Sequence, residues 1–173
     1  MKSRKGYLLL ESIISLFIIV TISLSLYSFL FFSNKYKKTI EDNVQLYEQG
    51  EEMCYQINKV IENSNGIISI GDLNGNTIKG DTSSYIKINS IKCEYKNQYR
   101  NVKDKEVSYK SNKKLFINTL NSSGNSEPGG YEIGDYVDYI SVMIENNKIS
   151  VKLNLSKNDE KYETTFKSYI KKF

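Results

Sequence analysis

The sequence contains no histidine and no tryptophan, and it has only one proline and two cysteines. Histidine is the commonest general base and zinc ligand in proteins, so its absence removes Ser/His and Cys/His dyads and the usual zinc sites. An enzyme built on carboxylates or lysine would need an acid–base pair, and no pair of acidic residues stands out. We therefore expect a structural or binding protein with no enzymatic activity, no cofactor and no metal.

The two cysteines, Cys54 and Cys93, match no metal-ligand spacing. A disulfide between them is one interpretation, provided that this part of the chain lies outside the cell. Two small, buried, apolar side chains are the other. The lone proline, Pro128, is far from the N-terminal region, so no proline interrupts a helix there.

A long uncharged run lies close to the start of the chain. Ser12–Asn34 contains no charged residue. As a helix rising about 1.5 Å per residue it spans about 35 Å, more than the ~30 Å hydrocarbon core of a bilayer. Lys2, Arg4 and Lys5 precede it and favour a cytoplasmic N-terminus. The run is too long for a secretory signal peptide and no small-residue cleavage site follows it, so it predicts a membrane helix.

One carboxylate, Glu11, immediately precedes this run. An ionisable group in or near the hydrocarbon costs at least about 2.5–3.5 kcal/mol on insertion scales. Folding offers no reason to place a charge there. Glu11 is therefore predicted to be functional, although a side chain at the headgroup level of the bilayer is the simpler interpretation.

The residues around Glu11 carry a family resemblance. Lys5-Gly6 followed by Tyr7-Leu-Leu-Leu-Glu11 resembles the cleavage and methylation signal of type IV prepilins and the related pseudopilins. The resemblance implies cleavage between Gly6 and Tyr7 by a membrane peptidase, which also N-methylates Tyr7. Glu11 becomes the fifth residue of the mature chain and serves assembly. The family most often has Phe at the first mature position, and Tyr7 is a conservative departure.

A filament gives Glu11 a physical role. Apolar helices pack there in a core without lipid, where an isolated carboxylate is strongly unfavourable. The positive N-terminal amine of a neighbouring subunit would compensate the charge, and only one axial offset between subunits would satisfy both groups. The headgroup-level position would then describe the unassembled state in the membrane.

The resemblance also implies partners and a location. The partners are other pilin subunits, the prepilin peptidase/methyltransferase, the membrane and the inner-membrane assembly machinery. The chain is expected in the cytoplasmic membrane with its N-terminus inside, and in an extracellular pilus or pseudopilus after assembly. A turn-rich head favours a minor pilin. The alternatives are a competence or type II secretion pseudopilin and a plain signal-anchored surface binding protein.

The predicted fold class is α+β, with a pilin-like long helix packed on an antiparallel sheet. The segments are a leader (1–6), an apolar helix half (7–34), an amphipathic helix half (35–63) and a β-sheet head (64–173). Gly50 predicts a bend or close packing, and Asn63–Gly66 predicts the helix stop. Apolar residues at helical spacing predict the face that packs on the sheet: Tyr36, Ile40, Val44, Tyr47, Cys54, Ile57 and Ile61.

The head is predicted to be built of short strands and tight turns. Asn74-Gly75-Asn76 indicates a hairpin, and residues 121–130 indicate a loop. Apolar and polar residues alternate around Asn146-Asn147 and again after residue 160, which predicts a three-stranded antiparallel meander. The predicted strands are 67–73, 77–79, 85–90, 91–99, 114–120, and the meander within 140–144, 149–155 and 162–170.

Two polar clusters have the composition of binding sites. Asp72, Asn74, Asn76 and Asp81 resemble part of a calcium loop, but the glycine is misplaced and the closing glutamate is absent, so turn chemistry is favoured.

The segment Lys96–Lys114 holds seven basic residues with aromatic residues between them. Such a segment could contact DNA through phosphates and stacking, and a solvated lysine-rich loop is the favoured interpretation. The net charge of +4 adds little to the DNA interpretation. Three of the 24 basic residues lie in the first six positions, so the remainder is nearly neutral.

Overall fold

The computed structural model describes residues 3–78, 80–95 and 103–171, with side chains from Tyr7 onward. A single long helix, α1 (Ser3–Glu62), precedes nine strands within these residues. The architecture is α+β, with the helix followed by an antiparallel sheet. The chain forms two compact units that divide between Glu41 and Asp42, within α1.

The first unit is helical throughout its described part. Its hydroxyl side chains donate hydrogen bonds to carbonyls one turn earlier: Ser12 Oγ to Leu8 at 2.9 Å, Ser25 Oγ to Thr21 at 2.9 Å, and Thr21 Oγ1 to Phe17. These bonds allow polar residues within an apolar helix, because no hydroxyl among the three is left without a partner. The lone proline lies elsewhere in the chain, so α1 runs without a break.

The second unit contains the remainder of α1 and one antiparallel sheet. The main path through the sheet is β6-β5-β4-β3-β7-β8-β9, and β1 pairs with both β2 and β3. The strands are β1 (Gly66–Asp72), β2 (Thr77–Ile78), β3 (Ile86–Glu94), β4 (Lys105–Lys110), β5 (Lys114–Thr119), β6 (Tyr131–Gly134), β7 (Val137–Glu145), β8 (Lys148–Lys157) and β9 (Glu160–Tyr169).

Tight turns join the strands where the sequence predicts them. Asn146 and Asn147 both have positive φ, 49° and 60°, between β7 and β8. Asparagine tolerates this left-handed region better than most residues, and the type I′ turn that requires it matches the twist of a hairpin. Gly75, at φ 84°, turns the chain between β1 and β2. The predicted C-terminal meander and the first hairpin are confirmed.

The core lies between the sheet and the second part of α1. Ile140, Val142, Val151 and Leu153 lie on one face of β7 and β8 and are fully or almost fully buried. Each such aliphatic side chain contributes about 1.5–3 kcal/mol through its burial. The helix contributes Leu46, Met53, Cys54, Ile57, Val60 and Ile61.

The predicted helix face is right near the end of α1 and wrong before it. Cys54, Ile57 and Ile61 are buried, whereas Val44 and Tyr47 are about half exposed. Tyr36 and Ile40, in the first unit, are also exposed. The buried residues of the second unit's helix begin at Asp42 and continue through Leu46, Gly50 and Met53 to Ile57, a series that leaves out the predicted Val44 and Tyr47. Gly50 lies on the packed face but has no side chain, so a search for apolar side chains at helical spacing does not include it.

Several strand boundaries also differ from the prediction. β3 is one continuous strand from Ile86 to Glu94, because Ser90 stays in the ladder and pairs with Ser108. The predicted continuation through residues 96–99 lies outside the described residues. β4 and β6 were not predicted. Lysines stand at both ends of β4 and glycines border β6, so neither segment shows the usual strand pattern.

The end of α1 lies where it was predicted, but Gly66 is not the residue that terminates the helix. The helix ends at Glu62 as expected, but Gly66 begins β1 and pairs with Glu94. Positive φ is recorded at Gly75 and at other glycines farther along the chain, but not at Gly66. The usual left-handed glycine cap is therefore not what ends this helix.

Instead, each of the last four carbonyls of α1 has its own donor. Lys59 receives the Asn63 N–H at 3.2 Å, and Ile61 receives both the N–H and the hydroxyl of Ser64. The carbonyl of Val60 accepts from Tyr95 Oη at 2.6 Å, and that of Glu62 from Lys171 Nζ at 2.9 Å. Helix ends leave four carbonyls without intrahelical partners. Here two of the donors come from residues that closely follow β3 and β9, Tyr95 and Lys171.

Candidate functional site

Glu11 lies on the exposed surface of the first helical unit, one turn after Tyr7. Residues four apart share one face of a helix, so Tyr7 and Glu11 lie on the same side. No ion pair or hydrogen bond to Glu11 is found among the described side chains. The structure thus presents a carboxylate on an apolar surface without compensation from the described part of the chain.

The predicted cleavage point lies within α1. Gly6 and Tyr7 are both helical, and the Tyr7 side chain is 75% exposed. The predicted processing residues and Glu11 therefore share two consecutive turns of one helix. Gly6 belongs to the backbone described at the start of α1, and cleavage there stays a prediction.

An apolar surface surrounds Glu11 on all sides of the helix. Leu9, Phe17, Ile19 and Leu24 are each more than 60% exposed, although they point in different directions around the axis. The segment is long and apolar enough to cross a membrane, and none of its most apolar window is buried. A helix that is apolar all round requires an apolar environment, either lipid or other helices.

The second unit holds its part of α1 through an ion pair that the sequence did not reveal. Asp42 is only 6% exposed, and its carboxylate lies 2.7 Å from Lys157 Nζ and 2.6 Å from Asn158 Nδ2. The helix face predicted from apolar residues does not include Asp42. Its position one turn before buried Leu46 was the available indication, because residues four apart share a helix face.

A second set of contacts joins α1 to β9. Glu51 Oε1 accepts from Tyr162 Oη at 3.1 Å and from Thr164 Oγ1 at 3.2 Å. A Cβ on Gly50 would lie 2.6 Å from a ring carbon of Tyr162, and the rings of Tyr47 and Tyr162 meet edge to face. Gly50 thus marks close packing, one of the two predicted alternatives, because only glycine leaves room for the tyrosine ring.

Cys54 and Cys93 are both free and both buried. Burial raises the pKa of the Cys54 thiol to about 11 and that of Cys93 to about 12, because desolvation disfavours the thiolate. Cys54 Sγ lies 3.8 Å from Thr164 Oγ1, a weak contact with β9. Both thiols belong to the hydrophobic core of the second unit. This is the environment expected if the cysteines serve as small, buried, apolar side chains.

The lysine-rich segment is engaged by the fold wherever it is described. Lys103 pairs with Glu127, Lys113 with Asp138 and Lys114 with Glu132, at N–O distances between 2.5 and 2.7 Å. Lys105 and Lys110 instead lie over the rings of Tyr95 and Phe116. These contacts give the described lysines a structural role, but the predicted solvated loop is wrong for Lys105–Lys110, which form β4. Lys96 and Arg100 lie outside the described residues.

The calcium-like loop uses its carboxylate for its own backbone. Asp72 accepts from the N–H groups of Asn74 at 2.8 Å and Asn76 at 2.7 Å. The Asn76 side chain also donates to this carboxylate, and these hydrogen bonds lower the pKa of Asp72. Within the described ranges no group of three potential metal-ligating residues converges. The arrangement is that of an Asx turn.

Two open clefts, of about 390 and 410 Å³, lie on the second unit. Each contains carboxylates, and each of these already has a cation or a hydroxyl. In the first cleft Glu106 accepts from Ser126 and lies 3.8 Å from Lys92.

In the second cleft Asp138 is 2.7 Å from Lys113 and Glu163 is 2.8 Å from Lys152. Each of these carboxylates thus has a partner within the chain. The unassigned feature that remains is therefore Glu11 on its apolar helix.

Comparison with protein-family models, with curated proteins and with solved structures finds no match for this chain.

Proposed function

We propose that this chain is a type IV pilin-like subunit of the minor class, processed between Gly6 and Tyr7 and assembled into a filament through α1. The observation that carries the proposal is the position of Glu11. It is the single charged residue from Tyr7 to Asn34, it comes five residues into the proposed mature chain, and it is exposed on an apolar helix. A signal anchor gives no reason for that charge.

The exposed helix supports both stages of this function. Lipid would cover the apolar side chains before assembly, and the helices of neighbouring subunits would cover them afterwards. Polar side chains such as Ser12, Thr21 and Ser25 are compatible with either environment, because their hydroxyls bond within the helix. Glu11 differs from them, because a charge requires a partner from another chain or from water.

The second unit supports a subunit rather than an enzyme. Its helix is joined to its sheet by buried Asp42, by Glu51 and by the donors at the helix end. A filament subunit needs its head fixed to the helix that anchors it. The carboxylates in the clefts are occupied by lysines, an arrangement that stabilises a fold and does not suit catalysis.

N-terminal sequencing of the membrane protein, from cells with and without a prepilin peptidase, tests the processing step. With the peptidase we expect a terminus at N-methylated Tyr7, and without it a terminus at Met1. Gly6→Val should block cleavage, because the peptidase of this family cuts after a glycine, whereas Ser3→Val is the matched control in the leader. A terminus at Met1 in cells that contain the peptidase would refute the proposal in favour of a signal-anchored protein.

Replacement of Glu11 tests assembly separately. Glu11→Ala should leave cleavage largely intact and reduce methylation or incorporation into filaments. The reason is that the N-terminal amine of the neighbouring subunit would lose the carboxylate that compensates its charge. Ser12→Ala, which changes the neighbouring residue without removing charge, is the control. Unchanged incorporation of Glu11→Ala would contradict the register role.

The same processing would occur in a competence or secretion pseudopilin. Co-purification of the processed chain with its filament partners distinguishes these systems from a pilus. We propose the pilus because the head is turn-rich in sequence, which favours a minor pilin.

A further inference from the structure

Strand β9 lies at one end of the sheet. It pairs with β8 over its whole length, from Lys157↔Glu160 to Lys148↔Tyr169. On its other edge, the described part of the chain provides no paired strand. An edge of this length is a template for another strand unless its side chains prevent pairing.

The backbone groups that face outward can be assigned from the ladder. The two-residue turn between β8 and β9, and the hydrogen bond from Ile170 N–H to the Asn147 carbonyl at 2.8 Å, show that even-numbered residues bond to β8. The odd-numbered residues therefore direct their N–H and C=O groups to the free edge. They are Lys161, Glu163, Thr165, Lys167 and Tyr169, and all five have exposed side chains.

The side chains of these five residues lie on the sheet face away from α1. Tyr162 and Thr164 contact Glu51 of the helix, so the even-numbered residues of β9 face α1. Side chains alternate along a strand, so the odd-numbered residues point to the opposite face. Continuation of the sheet beyond β9 would bring the partner strand's side chains next to these five. Their charges therefore decide which strand fits.

We propose that β9 pairs antiparallel with β9 of a second copy of this chain, about a twofold axis through Thr165. In this register Glu163 of each copy faces Lys167 of the other, and Thr165 faces itself. Lys161 faces Tyr169, a pair that allows a cation–π contact. Two opposite-charge pairs form, and no like charges face each other.

Neighbouring registers are less favourable. A shift of the axis to residue 164 places Lys161 opposite Lys167 twice, and a shift to 163 places Glu163 opposite itself. A shift to 166 loses both opposite-charge pairs, because Glu163 then faces Tyr169 and Lys167 faces Thr165. Like charges directly opposite each other destabilise a sheet, so the sequence of β9 selects one register for self-pairing.

The pairing would add about ten backbone hydrogen bonds between the copies, two for each outward-facing pair. Unrelated strands would lack charges that match Glu163 and Lys167, so the same residues that permit self-pairing discourage other partners. The inference concerns the second unit alone and requires neither cleavage at Gly6 nor a filament.

Disulfide cross-linking of the full chain in isolated membranes tests the register. Thr165→Cys lies on the proposed axis, so two copies should form a disulfide-linked dimer under mild oxidation. Lys161→Cys is the matched control on the same edge, because position 161 faces 169 in this register and not itself. The wild-type chain controls for Cys54 and Cys93, which are buried.

Charge reversal in the Thr165→Cys background supplies a second test. Glu163→Lys or Lys167→Glu alone should lower cross-linking about tenfold, because each places like charges opposite each other at two sites. The double reversal should restore it. Lys152→Gln removes the partner of Glu163 within the chain and should leave cross-linking unchanged, and protease resistance reports whether each variant folds.

The proposal is overturned if Thr165→Cys gives no dimer. It is also overturned if Lys161→Cys cross-links equally well, or if the folded double reversal does not recover. N-terminal sequencing at Tyr7 is independent of all three results.

Discussion

Replacement of Tyr95 by Phe isolates one hydrogen bond at the end of α1. The Tyr95 hydroxyl donates to the carbonyl of Val60 at 2.6 Å, and both residues pack in or against the hydrophobic core. Phenylalanine keeps the ring and its packing beneath Lys105, so the change removes the donor alone. The Val60 carbonyl would then be one of the helix's terminal groups without a partner.

The size of the effect follows from the burial of that carbonyl. A neutral hydrogen bond contributes about 0.5–1.5 kcal/mol net, and a buried acceptor left without a donor costs about 1–3 kcal/mol. Val60 is buried and lies in the last turn of α1. We expect Tyr95→Phe to lower the free energy of unfolding by about 1.5 kcal/mol, or Tm by roughly 5 °C for a unit of this size.

The pH dependence gives the prediction a second signature. Burial raises the pKa of Tyr95 above its usual value, with a further contribution from nearby Cys93. In the unfolded chain the phenol ionises near pH ~10, whereas in the folded chain it stays protonated. Its contribution to stability is therefore complete below pH ~10 and declines as the pH rises. The difference between wild type and Tyr95→Phe should narrow above that pH.

Denaturant unfolding of the full chain in detergent micelles, followed by circular dichroism, measures these effects. Tyr109→Phe, which loses a 2.8 Å bond to the Asp138 carbonyl, should show a similar loss. Tyr85→Phe should show almost none, because no hydrogen bond joins its hydroxyl to the described residues. Equal stability of wild type and Tyr95→Phe, or a difference independent of alkaline pH, would refute the role of this hydroxyl.

Three further predictions concern the second unit. Cys54 and Cys93 should react with a thiol-alkylating reagent only after denaturation, because burial raises both pKa values; rapid labelling of the native chain would contradict this. Asp42→Ala should lower the unfolding midpoint far more than Glu41→Ala, since Asp42 is buried and ion-paired while Glu41 is exposed. Gly50→Val should lower Tm despite valine's better helix propensity, because its side chain would overlap the tyrosine ring of β9; an unchanged Tm would show that the ring moves aside.

The hairpins could be predicted because their turns are local. Asn146-Asn147 and Asn74-Gly75 place residues that tolerate positive φ between alternating strands, and the chain turns at both points. Such turns are set by a few adjacent residues, so the sequence contains the necessary information.

The packed face of α1 could not be read in the same way. Its correct register includes Gly50, which carries no side chain, and Asp42, which is charged. Both positions are explained only by residues more than a hundred positions later, the glycine by Tyr162 and the aspartate by Asn158. Helical periodicity reports apolar residues, and it misses positions that tertiary contacts define.

Glu11 illustrates the opposite case. The sequence identifies it, because a charge in an apolar run has no folding role, and a single chain gives it no partner among the described side chains. In the proposed filament the counter-charge of Glu11 would belong to another subunit, which is why the sequence marks the residue and the structure of one chain gives it no partner among the described side chains. β4 and β6 were missed for a simpler reason, since their lysines and flanking glycines weaken the pattern that identifies strands.

The four donors at the end of α1 also determine when this unit can become stable during synthesis. Asn63 and Ser64 are available as soon as the helix is made, but Lys171 follows every other described residue of the head. The contact of Asp42 with Asn158 likewise spans 116 positions. Because such distant contacts form late, the core face of α1 remains uncovered until β9 has left the ribosome. A translating chain therefore presents a helix apolar enough to cross a membrane and an unprotected apolar face together, and protection of that face is needed until the last strand arrives.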